Sequence, residues 1–187
     1  MATEAKYIYR SGKLDLEAET ISDLQQLISK VVAATEKRVV SVIVPTYNEA
    51  GNIGRLIDEL FLSFEKSNIK GFEIIVVDDD SKDSTPLIID KYSKAGNVAA
   101  IHRYGVRGIF SAITDGVKAA RSDAVVMMDA DFSHPPSKVP ELISKMKESE
   151  IVLCFATPTD KNAAKVIHPG MSSLDNPPFG LVNAIFR

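Results

Sequence analysis

The chain has no tryptophan, a single cysteine and no long apolar run, and its acidic and basic residues nearly cancel. Each scarcity removes a class of protein. With Cys154 alone no internal disulfide can form, which excludes a disulfide-stapled secreted scaffold. Its neighbours Ile151, Val152, Leu153 and Phe155 are apolar, so Cys154 reads as a buried structural thiol in a reducing compartment, not a nucleophile. No stretch reaches the roughly 18 apolar residues that cross a bilayer. The opening segment, MATEAKYIYRSGKLDLEAET, lacks the basic-then-apolar order of a signal peptide. A soluble or peripheral, cytoplasmic protein is expected. A formal net charge of -3 supplies no global basic field, so nucleic acid is not an expected partner. Lys161, Lys165 and Arg187 read as solvated surface.

What remains is ordinary globular material. The 187 residues are 45% hydrophobic and 25% charged, enough for one domain with a real core. From about Leu14 to Thr35 the apolar positions Ile21, Leu24, Leu27, Ile28 and Val31 recur at helical spacing. Residues 1–38 are therefore expected to form an amphipathic helical extension packed on the main domain. A homodimer contact, a membrane subunit and a membrane surface are its alternatives.

Beyond Arg38 the pattern changes. Val39 to Val44 (VVSVIV) and Phe72 to Val77 (FEIIVV) read as buried parallel strands. Further strands are expected over Val98 to Ile101, Ala124 to Met128 (AVVMM) and Ile151 to Phe155. Helices are expected over Asn52 to Phe64, Thr85 to Tyr92, Ile109 to Ala120 and Pro140 to Lys147. Strand and helix alternate, which predicts an α/β fold with a mainly parallel sheet and helices on both faces. From Thr157 onward the periodicity fades, and HPGMSSLDNPPFG reads as loop.

In such sheets ligands collect beyond the carboxyl ends of the strands. Here those ends carry the most polar segments: PTYNE, DDDS and DADFSH. Asp129 and Asp131 follow AVVMM one residue apart, so strand alternation would aim both to one side. Two anions at the end of a buried strand are costly unless a cation compensates them, and a carboxylate pair suits Mg²⁺ or Mn²⁺ with diphosphate oxygens. After FEIIVV, Asp83 and Ser84 read as helix caps. Asp78, Asp79 and Asp80 exceed what capping needs, so one of them is expected to bind a sugar or base edge. Tyr47 offers a ring for stacking, Asn48 local backbone bonds, and Glu49 an acceptor near the first helix of the main domain.

VSVIVPTYNEAGNI, FEIIVVDDDSKDST and VVMMDADFSHPPSKVPELI together resemble the family 2 glycosyltransferases, specifically their dolichyl-phosphate (polyprenyl-phosphate) mannosyltransferase group. HRYGVRGIFSAITDGVKAARSD resembles that group's basic, Gly-containing loop and following helix, so the likeness spans about residues 39–155. It implies a GT-A, Rossmann-like sandwich over residues 39–187. It also implies transfer of a hexose, mannose from GDP-mannose, to a polyprenyl phosphate with inversion at the anomeric carbon. In that reading Pro45, Tyr47 and Glu49 line the nucleotide pocket, and Val77 and Asp79 meet the base or ribose. Asp129, Ala130 and Asp131 hold the diphosphate and the metal, Ser133 is a further candidate ligand, and Asp131 is the catalytic carboxylate. Contact with the cytoplasmic face of a membrane would follow from a lipid acceptor.

Three departures stand out. Asp80 replaces a glycine, and GVRGIF replaces a Gly-Leu-Gly arrangement, leaving Arg107 and Gly108 as loose counterparts. The acceptor-binding third is shortened, with Asp175 and Phe179 only loosely placed and His168 unsupported. A nucleotide-sugar-binding or regulatory paralogue is the alternative reading. A sugar nucleotidyltransferase should carry a Gly-rich basic loop after the first strand, and PTYNEAGN is not one.

Overall fold

The computed structural model describes residues 6–32, 38–122 and 124–145, together with strand segments 152–154, 164–166 and 183–186. Four strands form a parallel centre: β3 (Val40–Thr46), β4 (Phe72–Asp78), β5 (Val98–Tyr104) and β6 (Val125–Met127), in spatial order β5-β4-β3-β6. Antiparallel strands extend both edges. Beyond β5 lie β1 (Lys6–Ser11) and β2 (Leu14–Ala18). Beyond β6 lie β9 (Asn183–Phe186), β7 (Val152–Cys154) and β8 (Ala164–Val166).

Strand alternation divides the apolar side chains between two cores. Val40, Val42, Val44, Ile74, Val76, Val98 and Ala100 face one side. There they meet α2 (Ile53–Lys66), α3 (Thr85–Ser93) and α5 (Val139–Lys145) through Leu56, Leu60, Phe64, Ile89 and Leu142. Ile43, Ile75, Val77, Ala99 and Ile101 face the other, where α1 (Ile21–Val32) and α4 (Ile109–Ala119) contribute Leu24, Ile28, Ala112 and Ala119. Helices therefore cover both faces. At Gly116 the α4 backbone comes so near the sheet that a Cβ would sit 2.5 Å from Ile43 Cγ2 and 3.1 Å from Val77 Cγ2. Only a residue without a side chain lets α4 seat there.

The N-terminal segment corrects the expectation of a helical extension starting near Leu14. Residues Leu14–Ala18 are a strand with alternating exposure, and α1 begins at Ile21, where the Thr20 hydroxyl accepts from Asp23 N at 3.1 Å. Gly12, at φ 59°, makes the two-residue hairpin loop between β1 and β2. Tyr7 and Tyr9 are buried in the α4-side core, and Gly12 N donates to Ser93 O at 2.7 Å. The hairpin is thus an edge of the one sheet. The apolar stripe of α1 is largely consumed in packing, since Leu24 and Ile28 are buried against that core.

The C-terminal region differs too. Beyond Thr157, where the periodicity fades, lie β8 and β9, and β9 pairs antiparallel with both β6 and β7; the loop expected over HPGMSSLDNPPFG lies outside the described residues. Short strands in a segment of weak periodicity gain their order from partners that the local pattern does not reveal. His168, Asp175, Phe179 and Arg187 lie outside the described residues, as do the side chains of Cys154 and Lys165. Among the described residues no helix is long and apolar enough to cross a membrane.

Candidate functional site: an acidic cavity at the carboxyl ends of the strands

The chain order of the parallel strands reverses at β3, whose neighbours β4 and β6 lie on opposite sides. Such a reversal leaves a crevice beyond the strand ends, because the two crossovers depart in opposite directions. There the structure has an open cavity of about 260 Å³ lined by Pro45, Thr46, Tyr47, Glu49, Asp79, Ile109, Asp129, Ala130 and Asp131.

Hydrogen bonds stitch the loop after β3 to the loop after β4. Asn48 adopts φ 57°, its amide donates to Ser81 Oγ at 2.8 Å, and its Oδ1 accepts from Lys82 N at 2.8 Å. Glu49 N donates to Thr85 Oγ1 at 2.8 Å, while Glu49 Oε2 accepts from Asn52 Nδ2 at 2.9 Å. Asp83 accepts from Thr85 N and from Ala50 N, so it caps α3 and ties the two loops together. The Ser84 side chain makes no capping bond.

The three adjacent aspartates take three separate environments. Asp78 is buried and bonds Ser81. It also lies 3.6 Å from His102, whose Nε2 is 2.9 Å from Asp90 Oδ1. Burial pulls the His102 pKa down, but the two carboxylates outweigh it and the net direction is up. Asp80 sits at φ 58° and pairs with Lys82 at 2.6 Å. A left-handed position explains why glycine suits this site; Asp is among the few other residues that tolerate it.

Asp79 alone of the three reaches the cavity. Its Oδ1 accepts from Arg103 Nε at 2.7 Å and Nη2 at 2.5 Å, and its Oδ2 accepts from Gly108 N at 2.8 Å. Arg103 is fully buried and also donates to Asp115 at 2.8 Å and Ser111 at 3.1 Å. This network holds the start of α4 against the end of β4. Sequence reasoning missed Arg103, although a charge two residues beyond Ile101 on the α4-facing register of a buried strand was the available signal. Thr46 and Ile109 were also missed; an apolar residue opening a helix offers no chemical cue.

Asp129 and Asp131 line the same cavity, but not by strand alternation. β6 ends at Met127, and both carboxylates lie in the turn that follows, with Phe132 at φ 61°. Asp131 is exposed, and its Oδ1 accepts from Ser133 N at 2.9 Å. That bonding to Ser133 lowers the Asp131 pKa. Asp129 is half-buried and has no hydrogen-bond or ion-pair partner among the described residues. Burial first, then the charges of Asp131 and Glu49, push its pKa up. His134 is buried, its Nδ1 lies 3.1 Å from Ser133 Oγ, and burial lowers its pKa against the pull of Asp131. It braces this turn.

Seven of the eight residues expected in the pocket line it. Val77 does not: its side chain is fully buried under α4, because alternation along β4 aims it into the sheet's α4 face. No cluster of three or more His, Cys, Asp or Glu side chains surrounds a common point among the described residues. A cation would rest on two carboxylates. Hard oxygen donors crowded enough to raise Asp129 fit an ion that fills its other positions with water and substrate phosphate.

The glycosyl transferase family 2 model matches residues 41–180. A dolichol-phosphate mannosyltransferase from Pyrococcus furiosus is 42% identical over 58% of this chain and 30% of its own length. One from Saccharomyces cerevisiae is 39% identical over 60% of this chain and 43% of its own. The chain therefore spans less than half the length of these curated relatives. Among solved structures, a mannosyltransferase from Pyrobaculum calidifontis, determined with GDP-Man and Mn²⁺, superposes with TM-score 0.56 at 22% identity. That match covers 75% of this chain and 44% of the other, and it supports the GT-A-type α/β fold. The motifs at three strand ends, the cavity they share and the match over most of the chain place this protein in glycosyl transferase family 2.

Proposed function

We propose that the chain binds a nucleotide-sugar and a divalent cation, and transfers a hexose, mannose from GDP-mannose, to a polyprenyl phosphate. One observation carries this reading: Asp129 and Asp131 line one cavity at the strand-order reversal, and Asp129 lacks a partner among the described residues. The names of the curated relatives support mannose and a polyprenyl phosphate as the two substrates. A lipid-linked acceptor would place the chain at the cytoplasmic face of a membrane as a peripheral protein.

In this mechanism Asp129 and Asp131 hold Mg²⁺ or Mn²⁺. Bound there, the ion would offset negative charge on the departing nucleoside diphosphate. Tyr47 offers its exposed ring to the base, and Asp79, fixed by Arg103, offers an acceptor to the ribose or base edge. Ala130 keeps the floor between the carboxylates small. A phosphate acceptor is already anionic at neutral pH, so attack from the face opposite the leaving group inverts the anomeric carbon without a general base.

Calorimetric titration of GDP-mannose, GDP and UDP-glucose, with Mn²⁺ and with chelator, tests the binding half on wild type and Asp131→Ala. Binding that needs Mn²⁺ and is lost in the variant is expected. Transfer of labelled mannose to dolichyl phosphate tests the other half. Binding without transfer would reduce the protein to a nucleotide-sugar-binding paralogue, and the absence of binding would remove the proposal.

A further inference from the structure

Among the described residues the cavity is lined by four carboxylates, Glu49, Asp79, Asp129 and Asp131, and by no basic side chain. The buried arginine beside it, Arg103, is committed to Asp79 and Asp115. Arg107 is different. It is exposed, and its guanidinium carbon lies 4.6 Å from the centroid of the Tyr47 ring. It makes no hydrogen bond or ion pair among the described residues, so its five donors have no protein acceptor there.

Arg107 sits in a short loop between two glycines. Gly105 at φ 78° and Gly108 at φ 130° bracket Val106 and Arg107, and both angles favour glycine. Past Gly108 the chain is anchored by Gly108 N on Asp79 and by the start of α4. The anchors of Asp79 and α4 thus lie beyond Arg107, which no hydrogen bond ties to them among the described residues.

Resting on the donor-binding reading above, we propose that Arg107 is a recognition residue for the donor's phosphates. Its guanidinium stacks on Tyr47 and covers that ring face. When a nucleotide enters, the base takes that face and the guanidinium turns to the phosphate oxygens, where its planar fork makes charge-assisted bonds. The cation over the ring is worth little at so exposed a site, whereas bonds to a phosphate are strong, so the exchange runs toward the nucleotide. The residue would thus select for phosphorylated ligands in a cavity whose own side chains repel them.

The test compares guanosine with GDP, both with Mn²⁺, on wild type, Arg107→Lys and Arg107→Ala, with circular dichroism confirming the fold. Because Arg107 is exposed, neither substitution disturbs the core. Arg107→Ala is expected to weaken GDP by about 10- to 100-fold and to leave guanosine unchanged or tighter. Arg107→Lys, a point charge without the fork, should fall between. Equal weakening of guanosine and GDP would overturn the proposal, because Arg107 would then be only a wall for the base. Unchanged GDP affinity in Arg107→Ala would overturn it as well. If wild type binds none of GDP-mannose, GDP and UDP-glucose, the donor reading itself falls, and this one with it.

Discussion

At the amino-terminal end of the parallel strands, Glu73 is fully buried between Ser41 Oγ at 2.6 Å and the Arg121 backbone and guanidinium at 2.7 and 2.6 Å. At the carboxyl-terminal end, Arg103 is fully buried between Asp79 and Asp115. The two networks use the same chemistry, a desolvated arginine and carboxylate held by short bonds. They differ in what surrounds them. Around Glu73 the acceptors are met by donors, and the end is closed. Around Arg103 the neighbouring loops add Glu49, Asp129 and Asp131, so negative charge exceeds what the described residues compensate. Uncompensated charge at a strand end, and not charge as such, marks the functional end of this sheet.

The contrast breaks hardest at Arg103. Arg103→Met should strand two buried carboxylates and cost about 3–5 kcal/mol, seen as an early urea midpoint. Glu73→Gln should also destabilise, but surviving folded protein should still bind nucleotide, because nothing at that end touches the cavity. Intact binding by folded Arg103→Met would contradict its role in fixing Asp79.

Removing surplus charge should do the reverse. Asp131→Asn is expected to lose about 100-fold or more in Mn²⁺-dependent nucleotide affinity, roughly 2.7 kcal/mol, with an unchanged unfolding midpoint. A matched fall in stability would show Asp131 to be structural.

Next in size, Gly116→Ala should cost about 1–3 kcal/mol through overpacking against Ile43. Binding should weaken as well, because α4 carries Ile109 and the anchor of the Gly108 loop. Loss of stability with full affinity would uncouple the α4 seat from the cavity.

Asp129 supplies a pH signature. Its pKa is raised in the fold, so the native state favours the proton and stability is lost as pH rises through that raised value. Metal-free Asp129→Asn should therefore be more stable than wild type at neutral pH. The gap should close as pH falls below the usual carboxylate value of about 4. A gap that persists in acid would point to a cause other than ionisation.

The smallest effect is expected at Asp80. Asp80→Gly should change stability by less than about 1 kcal/mol, because relief of the left-handed backbone opposes the lost Lys82 pair and greater chain freedom. Asp80→Ala should be the worse variant, by about 1 kcal/mol.

Much of this was legible before any coordinates. VVSVIV, FEIIVV and AVVMM are apolar because strands covered on both faces admit little else, and their polar ends announce where coverage stops. The helices α2 to α5 followed from spacing, with ends differing by a residue or two. Of the seven cavity residues, Tyr47, Glu49, Asp129 and Asp131 were marked by polar chemistry at strand ends, whereas Pro45, Asp79 and Ala130 were named through the family resemblance. Three things required the folded chain. The hairpin β1–β2 depends on β5 as a partner more than 85 residues away, from Lys6 opposite Tyr104 to Arg10 opposite Ala100, and its alternation at Leu14–Ala18 is too short to outweigh a neighbouring helical pattern. The burial of Val77 depends on which face of β4 receives α4, a choice made by the crossover and by Gly116. The pairing of Asp79 with Arg103 of β5, and of Arg107 with Tyr47, joins segments distant in sequence. Residue type sets what a side chain can do; only long-range packing decides which charges are paired and which remain for a ligand.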